Sequence, residues 1–467
     1  MITDPATDTS VPAPADAASP GPAAPPLRGG RPWPAAIRAV VTSVLVAGVI
    51  ALVCPGLFGS WSARSGDAVP RSIDLPWHWQ ASVQQDPPGP AAVVATTDDQ
   101  AGSTQVVGRN GVYRAVYPSA GQWRAGRNVQ LSPDGRYLAL SYLQDPASAG
   151  RGPTIVDLTT GQSRVVSANG LAAHQELAVL AWRPDGGALL LAAVTGPTAR
   201  LELLSLGTGT VTTLAEMGVP DEWRVAFSPQ GDRVSFVDRG SLRLVDASGA
   251  ALWSVPLSGG RQLAGGGAFT PDGRLIALVE TLPCAQPCTG APSWTVTYVD
   301  SADGTDARGP ALPAIVGSRV RAIGWTTDGG GTPALVVVRY LPRPRPPAVQ
   351  GPDGQLIAPP ADGDIDDSTG PADLYALAPG APATLLLDAP YEVTDLDVAA
   401  DLVRAGRFQG SPSMPSLLPF EPGRLRAVDI GVMAAVLAGL AIVVGVAVKL
   451  TGEPQRLWSL VRRLRRS

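Results

Sequence analysis

The chain has 467 residues, with 53 Gly, 47 Pro, 45% hydrophobic and 16% charged residues, and a net charge of −4. That length suits one large all-β domain with accessories, and a mildly acidic body makes a poor nucleic-acid binder, so no nucleic-acid partner is expected. The charge is unevenly placed: from Lys449, the only lysine, to Ser467, one lysine and five arginines stand against Glu453, a net of +5 that leaves −9 on residues 1–448.

In chain order, residues 1–34 are dominated by Pro, Ala, Asp, Ser and Thr and hold almost nothing large and apolar, so a disordered cytoplasmic segment is expected. Residues 35–61 turn apolar around AVVTSVLVAGVIALV. This run is long enough for a membrane-spanning helix of about 20 residues, and Arg28, Arg31 and Arg38 before it hold the N-terminus inside. Two readings compete with an uncleaved anchor. One is a cleaved signal peptide with Ser60-Trp61-Ser62 as a small-x-small site; the other is lipidation at Cys54, which the bulky Val53 disfavours. Residues 62–90 read as an extended, proline-stiffened extracytoplasmic stalk.

A recurring unit organises residues 91–408. It is seen first in QLSPDGRYLALSY (130–142), which reads as a β-hairpin: Leu131 ends a strand, Pro133 and Asp134-Gly135 make the corner, and Tyr137 to Leu140 return. The frame recurs at 181–192, 226–237, 268–279 and 324–329, with a decayed copy at 397–408. The residue before the Ser/Thr/Arg slot is always apolar: Leu131, Trp182, Phe227, Phe269, Trp325 and Val398. A second hairpin follows each of the first five turns, at 154–166, 201–214, 242–255, 294–309 and 373–387. Two hairpins make a four-stranded blade. Five whole blades are expected near residues 127, 177, 222, 263 and 319, with a sixth assembled from strands at 391–408 and 91–117. The expected fold class is therefore an all-β, six-bladed β-propeller flanked by two transmembrane helices. A seven-bladed alternative splits 91–117 into a blade of its own.

The apolar-(Ser/Thr)-Pro-Asp-Gly-x-x-apolar-Ala-apolar frame resembles the WD-repeat-like β-propeller repeat of TolB-type bacterial envelope proteins over about residues 91–408. The resemblance implies a propeller. The chain departs from TolB in lacking a separate N-terminal α/β domain and in carrying two apolar runs, so TolB's partners are not carried over.

Within the propeller, Cys284 and Cys288 lie in TLPCAQPCTG, between the two hairpins of one blade. Outside the membrane their spacing favours a local disulfide over two free thiols. An insertion at residues 343–373, rich in Pro and Gly, separates the hairpins of the next blade and reads as an excursion without regular structure. Its Asp364, Asp366 and Asp367 lack the spacing of an EF-hand and read as a solvated acidic loop. The cysteine loop and this insertion are the expected contact surfaces if they share a face. Residues 409–428 form a linker, 429–449 a second transmembrane helix without charge between Asp429 and Lys449, and 450–467 a basic cytoplasmic tail. In the tail, a stop-transfer charge cluster competes with an amphipathic helix gripping anionic lipid. Both termini are thus expected in the cytoplasm, with the propeller outside the plasma membrane.

Catalysis has little support. His78 and His174 are the only histidines, which leaves no two-histidine zinc helix, and no G-x-S-x-G elbow occurs. No catalytic, cofactor or metal residues are assigned. The expected function is a binding scaffold at the cell envelope, with an envelope protein or other extracytoplasmic ligand and the lipid bilayer as partners. A sensor signalling to a cytoplasmic regulator is the alternative, and a propeller enzyme comes third. Thiol labelling of the unfolded, unreduced outer domain is expected to find neither Cys284 nor Cys288 free; full labelling of both would remove the disulfide and weaken the assigned compartment.

Overall fold

A computed structural model describes residues 67–75, 80–97, 104–116, 129–141, 152–171, 174, 176–220, 224–282, 291–327, 331–342, 349–350, 356–357, 369–410 and 412–413. The two apolar runs, Cys284, Cys288, Asp364, Asp366, Asp367 and the basic tail lie outside the described residues.

The strands fall into six main sheets. First in the chain come β1 (Ala91–Thr97), β2 (Thr104–Gly108) and β3 (Tyr113–Val116). Blade one is β4 (Val129–Leu131), β5 (Tyr137–Leu140), β6 (Thr154–Asp157) and β7 (Ser163–Val165). Blade two is β8 (Glu176–Trp182), β9 (Ala188–Thr195), β10 (Thr198–Ser205) and β11 (Val211–Gly218). Blade three is β12 (Val225–Phe227), β13 (Arg233–Asp238), β14 (Ser241–Asp246) and β15 (Ala251–Pro256). Blade four is β16 (Gln262–Leu263), β17 (Leu275–Thr281), β18 (Ser293–Asp300) and β19 (Asp306–Ala307), with β20 (Ile315–Val316) added to β18. Blade five begins with β21 (Arg319–Thr327) and β22 (Pro333–Pro342). After β23 (Val349–Gln350) and β24 (Leu356–Ile357), it ends with β25 (Thr369–Leu377) and β26 (Thr384–Leu387). The last strand, β27 (Val393–Val398), pairs with β1 and completes a sheet ordered β27-β1-β2-β3. That composite sheet is the sixth blade, so the fold is a six-bladed propeller closed by both ends of the chain.

The repeated motif works as a turn in the expected way. Gly135, Gly186, Gly231 and Gly273 have φ between 71° and 73°, a region that a side chain makes costly. In blade one, Gly135 N–H donates to Ser132 O (2.8 Å), and the Ser132 hydroxyl donates to Asp134 (2.6 Å) and accepts from Tyr137 N–H (2.8 Å). Thr270, Asp272 and Leu275 repeat this network in blade four. Burial differs between blades at the outer edge, where β3 of the composite sheet is buried at all four residues. β1 is buried along all seven residues, whereas all three residues of β7 are exposed.

Three local expectations are corrected. The decayed copy at 397–408 is not a hairpin: β27 is followed by helix α1 (Ala400–Arg404), which buries Leu402 and Val403. Asp401, Ala405 and Gly406 do not alternate with apolar residues, so a one-turn helix buries the pair better than a strand would. The insertion has some regular structure, because Val349 pairs with Ile357 and Gln350 with Leu356, and its last residues belong to β25. The described part of 62–90 lies against the propeller and turns at Ser82–Asp86, where Gln85 and Asp86 N–H donate to Ser82 O (3.1 and 3.0 Å). Val69, Ile73, Ala81 and Val83 are buried, Val69 N–H donates to Arg407 O (2.8 Å), and Val83 N–H donates to Ala115 O (3.0 Å). Apolar residues spaced along a proline-rich segment bury more area against a wall than they would in a free stalk.

Polar contacts secure the composite blade. Arg114 and Asp86, both nearly inaccessible, form an ion pair, and Arg114 Nε donates to Asp86 O (2.7 Å). Arg109 Nη1 reaches Asp67 (2.8 Å) and its Nη2 reaches Asp401 (2.7 Å) and Asp134 O (2.7 Å). One guanidinium thus joins the N-terminal segment, helix α1 and the first turn motif. Fully buried Leu396 of β27 is expected to cost about 2–5 kcal/mol on replacement by Ala. Half-exposed Leu385 of outer strand β26 should cost no more than roughly 0.5 kcal/mol. Ending the chain at residue 390 should abolish cooperative unfolding, and denaturant melts in which these three variants match the parent would rule out closure by β27.

Candidate functional site at the channel mouth

The inner strands of the six blades enclose a cavity of about 530 Å³ at the end where the turn motifs lie. The six apolar residues of the motif, Leu131, Trp182, Phe227, Phe269, Trp325 and Val398, all line it. The residues two positions later, Pro133, Pro184, Pro229, Pro271, Thr327 and Ala400, line it too, except that Ala400 already belongs to α1. Side chains two apart on a strand point the same way, so each repeat contributes one wall residue and one rim residue. The motif's apolar residues are 4–8% exposed, buried as the repeat predicts. Sequence reasoning missed that they also ring a cavity. The signal was their identical offset from the turn in every copy.

The blade-to-blade seams are polar and vary around the ring. Trp182 Nε1 donates to Gln130 O of blade one (3.0 Å), and Arg224 Nη1 donates to Leu263 O of blade four (2.9 Å). Ala322 N–H donates to Ala264 O (2.7 Å) and Gly267 N–H to Ala322 O (3.1 Å), so blades four and five touch backbone to backbone. A Cβ on Gly267 would come within 2.1 Å of Gly324 N, which is why the run Gly265-Gly266-Gly267 stands there. On the closing strand, Asp395 binds Arg321 (3.0 Å) and the Tyr340 hydroxyl (2.6 Å). Asp397 accepts from Leu131 N–H (2.8 Å) and Val398 N–H (3.0 Å). The two aspartates therefore tie β27 to both neighbouring blades. Burial pushes the Asp397 carboxyl up to about 6, against the pull of Arg321 and the two N–H donors.

The strand ends that flank the two expected contact loops lie at the other end of their blades. In an antiparallel meander the first-to-second and third-to-fourth connections share one end of the blade and the second-to-third connection takes the other. The cysteine segment joins β17 to β18 and the insertion joins β22 to β25. The strand ends flanking both segments, Thr281 and Ser293 in blade four and Pro342 and Thr369 in blade five, therefore lie on the side of their blades opposite the turn motifs and the mouth. The β13–β14 hairpin belongs to that face, and its Arg239 has φ 47° and lines a second cavity with Arg200 and Glu216. Among the described residues, no group of three or more His, Cys, Asp or Glu could hold a metal ion. No helix among them is long and apolar enough to cross a membrane.

Two predictions separate the roles of the mouth residues. Trp182 and Trp325 occupy equivalent positions, but Trp325 Nε1 is buried without a partner, so Trp182→Phe breaks a hydrogen bond and Trp325→Phe does not. Denaturant melts should show Trp182→Phe costing about 1 kcal/mol more; equal costs would contradict the asymmetry. For Asp397, the folded carboxyl binds its proton more tightly than the unfolded one, whose ordinary value is 3.8. Its contribution to stability is present below pH 4 and is lost as pH rises to about 6. Asp397→Asn should gain on the parent by up to roughly 3 kcal/mol across that window, and a gap that stays constant with pH would assign the slope to other groups.

No family model and no curated relative matches the chain. Among solved structures, it is similar to a TolB-type protein from Agrobacterium tumefaciens at 17% identity, covering 70% of this chain and 93% of that one, with a TM-score of 0.36. It is also similar to TolB from Acinetobacter baumannii at 15% identity, covering 65% of this chain and 68% of that one, with a TM-score of 0.34. An oligogalacturonate lyase in complex with manganese matches at 17% identity, with coverage of 65% and 74% and a TM-score of 0.36. These likenesses concern the fold, and the six-bladed architecture stands on the sheets themselves.

Proposed function

We propose that this chain is a membrane-tethered, extracytoplasmic propeller that serves as a binding scaffold at the cell envelope, engaging an envelope protein or other extracytoplasmic ligand at the channel mouth. The observation that carries the reading is the ring of six equivalent apolar residues below a proline-rich rim, around a cavity of about 530 Å³. A pre-formed apolar concavity with a few fixed polar groups is the usual form of a recognition site. The tether rests on the apolar runs 35–61 and 429–449 and their flanking arginines.

One feature favours a second reading. Asp397 lines the cavity with its carboxyl near neutrality, as a general acid or base would. Its oxygens already accept from Leu131 and Val398 N–H, however, which suits a structural role.

A photo-crosslinking residue at exposed Arg404 or Gln230 beside the mouth is expected to give envelope adducts in cells, whereas one at Arg200 on the opposite face gives none. Adducts only from Arg200 would move the site to the other face. Reporter fusions at residue 30 and at the C-terminus should show cytoplasmic activity and one near residue 360 should report the outside; an external signal at the C-terminus would sink the two-span arrangement.

A further inference from the structure

We propose that Asn169, in the Asn169-Gly170 turn between β7 and β8, is a covalent modification site: its side-chain amide is lost through a succinimide formed with Gly170, which water opens to aspartate and isoaspartate. The site stands apart from the mouth and the tether, and its substrate is the chain itself.

The chain holds three asparagines, Asn110, Asn128 and Asn169, and two of them, Asn110 and Asn169, precede glycine. Glycine has no side chain to shield its backbone nitrogen, which leaves that nitrogen open to the amide carbon of the residue before it. Both pairs stand at turns, where this dipeptide is at home, yet the fold treats them differently. At the β2–β3 hairpin, Asn110 Oδ1 accepts from Val112 N–H (3.1 Å) and Asn110 Nδ2 donates to Pro88 O (3.2 Å). Gly111 N–H donates to Gly108 O (2.8 Å). The amide that would be attacked and the nitrogen that would attack it are therefore both held.

At the second pair the corresponding groups are free. Leu171 N–H donates to Ala168 O (3.2 Å) and closes a turn with Asn169 and Gly170 at its corners. Gly170 has φ 90°, near the value for the third residue of a type II turn. Both corner residues are exposed, and no atom lies within 4 Å of a Cβ built on Gly170. Among the described residues, neither the Asn169 side chain nor Gly170 N–H has a hydrogen-bond partner. Solvent base takes the Gly170 amide proton, and the nitrogen attacks Asn169 Cγ. The N–Cγ bond forms, the Cγ–Nδ2 bond breaks, and the Nδ2 group leaves as ammonia with a proton from water. A second water opens the ring at either carbonyl, so the net change is one water consumed and one ammonia released. Both products add a negative charge, and isoaspartate reroutes the main chain through Cβ and Cγ. That change falls where Asn169 N–H donates to Gly209 O (2.8 Å) and Asn169 O accepts from Val211 N–H (3.3 Å), the contacts that tie this connection to the β10–β11 turn.

The test incubates the full-length protein at mildly alkaline pH, folded in one arm and unfolded in guanidinium chloride in the other. Peptide mass spectrometry then counts amide, aspartate and isoaspartate at residues 110 and 169. In the folded protein Asn169 is expected to react at least about tenfold faster than Asn110, whose reaction must wait for its hairpin to open. In the unfolded chain, where the turns are gone, the two rates should come together. Isoaspartate should accompany aspartate at residue 169, because ring opening gives both whereas direct hydrolysis of the amide gives aspartate alone. Asn169→Gln, which would have to close a larger ring, should remove the ammonia released early by the folded protein. The proposal is overturned if folded Asn169 reacts no faster than folded Asn110, or if it stays an amide while the unfolded chain reacts. Aspartate without isoaspartate at residue 169, or early ammonia release that survives Asn169→Gln, would overturn it as well.

Discussion

The pairing of β27 with β1 is the constraint on which the rest depends. It joins Val393–Val398 to Val93–Thr97 in antiparallel register, so about 300 residues lie between partners. Closing a loop of that length costs about 5 kcal/mol beyond a constant. Burying Val93, Val94, Leu396 and Val398, all at most 4% exposed, outweighs that at about 1.5–3 kcal/mol each. Once the strand is seated, Asp395 and Asp397 hold it to blades five and one, and the inner strands have a fixed perimeter. Without that perimeter the six apolar residues of the motif would not face one another across a cavity.

One short motif therefore serves both the turn and the site. Pro133 and its equivalents open the turn and form the rim, the following Gly reverses the chain at positive φ, and the apolar residue before the Ser or Thr becomes the wall. Blade two departs from the pattern in an informative way. Arg183 replaces the hydroxyl residue and grips Asp185 with two hydrogen bonds of 2.8 Å, and the turn keeps its shape, with Gly186 at φ 73°. The backbone of the turn is thus more important than any one side chain that braces it.

Local repetition explains what could be read in advance. The five complete blades, their strand phases and the composite sixth blade followed from turn chemistry and period-2 patterning, which need only neighbours in sequence. What escaped depends on distant partners. Helix α1 forms where Leu402 and Val403 meet blades five and six, and residues 81–83 are extended because Ala115 accepts and donates along them. Arg109 shows no local signature at all, yet it binds Asp67 and Asp401 at once. The mouth lay between these cases: all of its wall residues were singled out, but only the closed ring turns a list of buried apolar positions into a cavity.

The contrast between Trp182 and Trp325 shows how a repeat acquires individuality. Both stand in the same slot of the same motif, and the first finds a carbonyl on the neighbouring inner strand. Before Trp325 that neighbour is interrupted by Gly265-Gly266-Gly267, which lets β21 approach so closely that Gly267 lies against Gly324. The inner edge of blade four is then occupied by backbone contacts to Ala322, and the indole of Trp325 is left with a donor and no acceptor. Symmetry in the sequence creates the ring of aromatic and aliphatic walls, and the glycine run breaks that symmetry at one seam. Arg321 stands four residues before Trp325 on the same strand and is matched by Asp395 (3.0 Å), so the break leaves the indole N–H of Trp325, and no net charge from Arg321, on this side of the mouth.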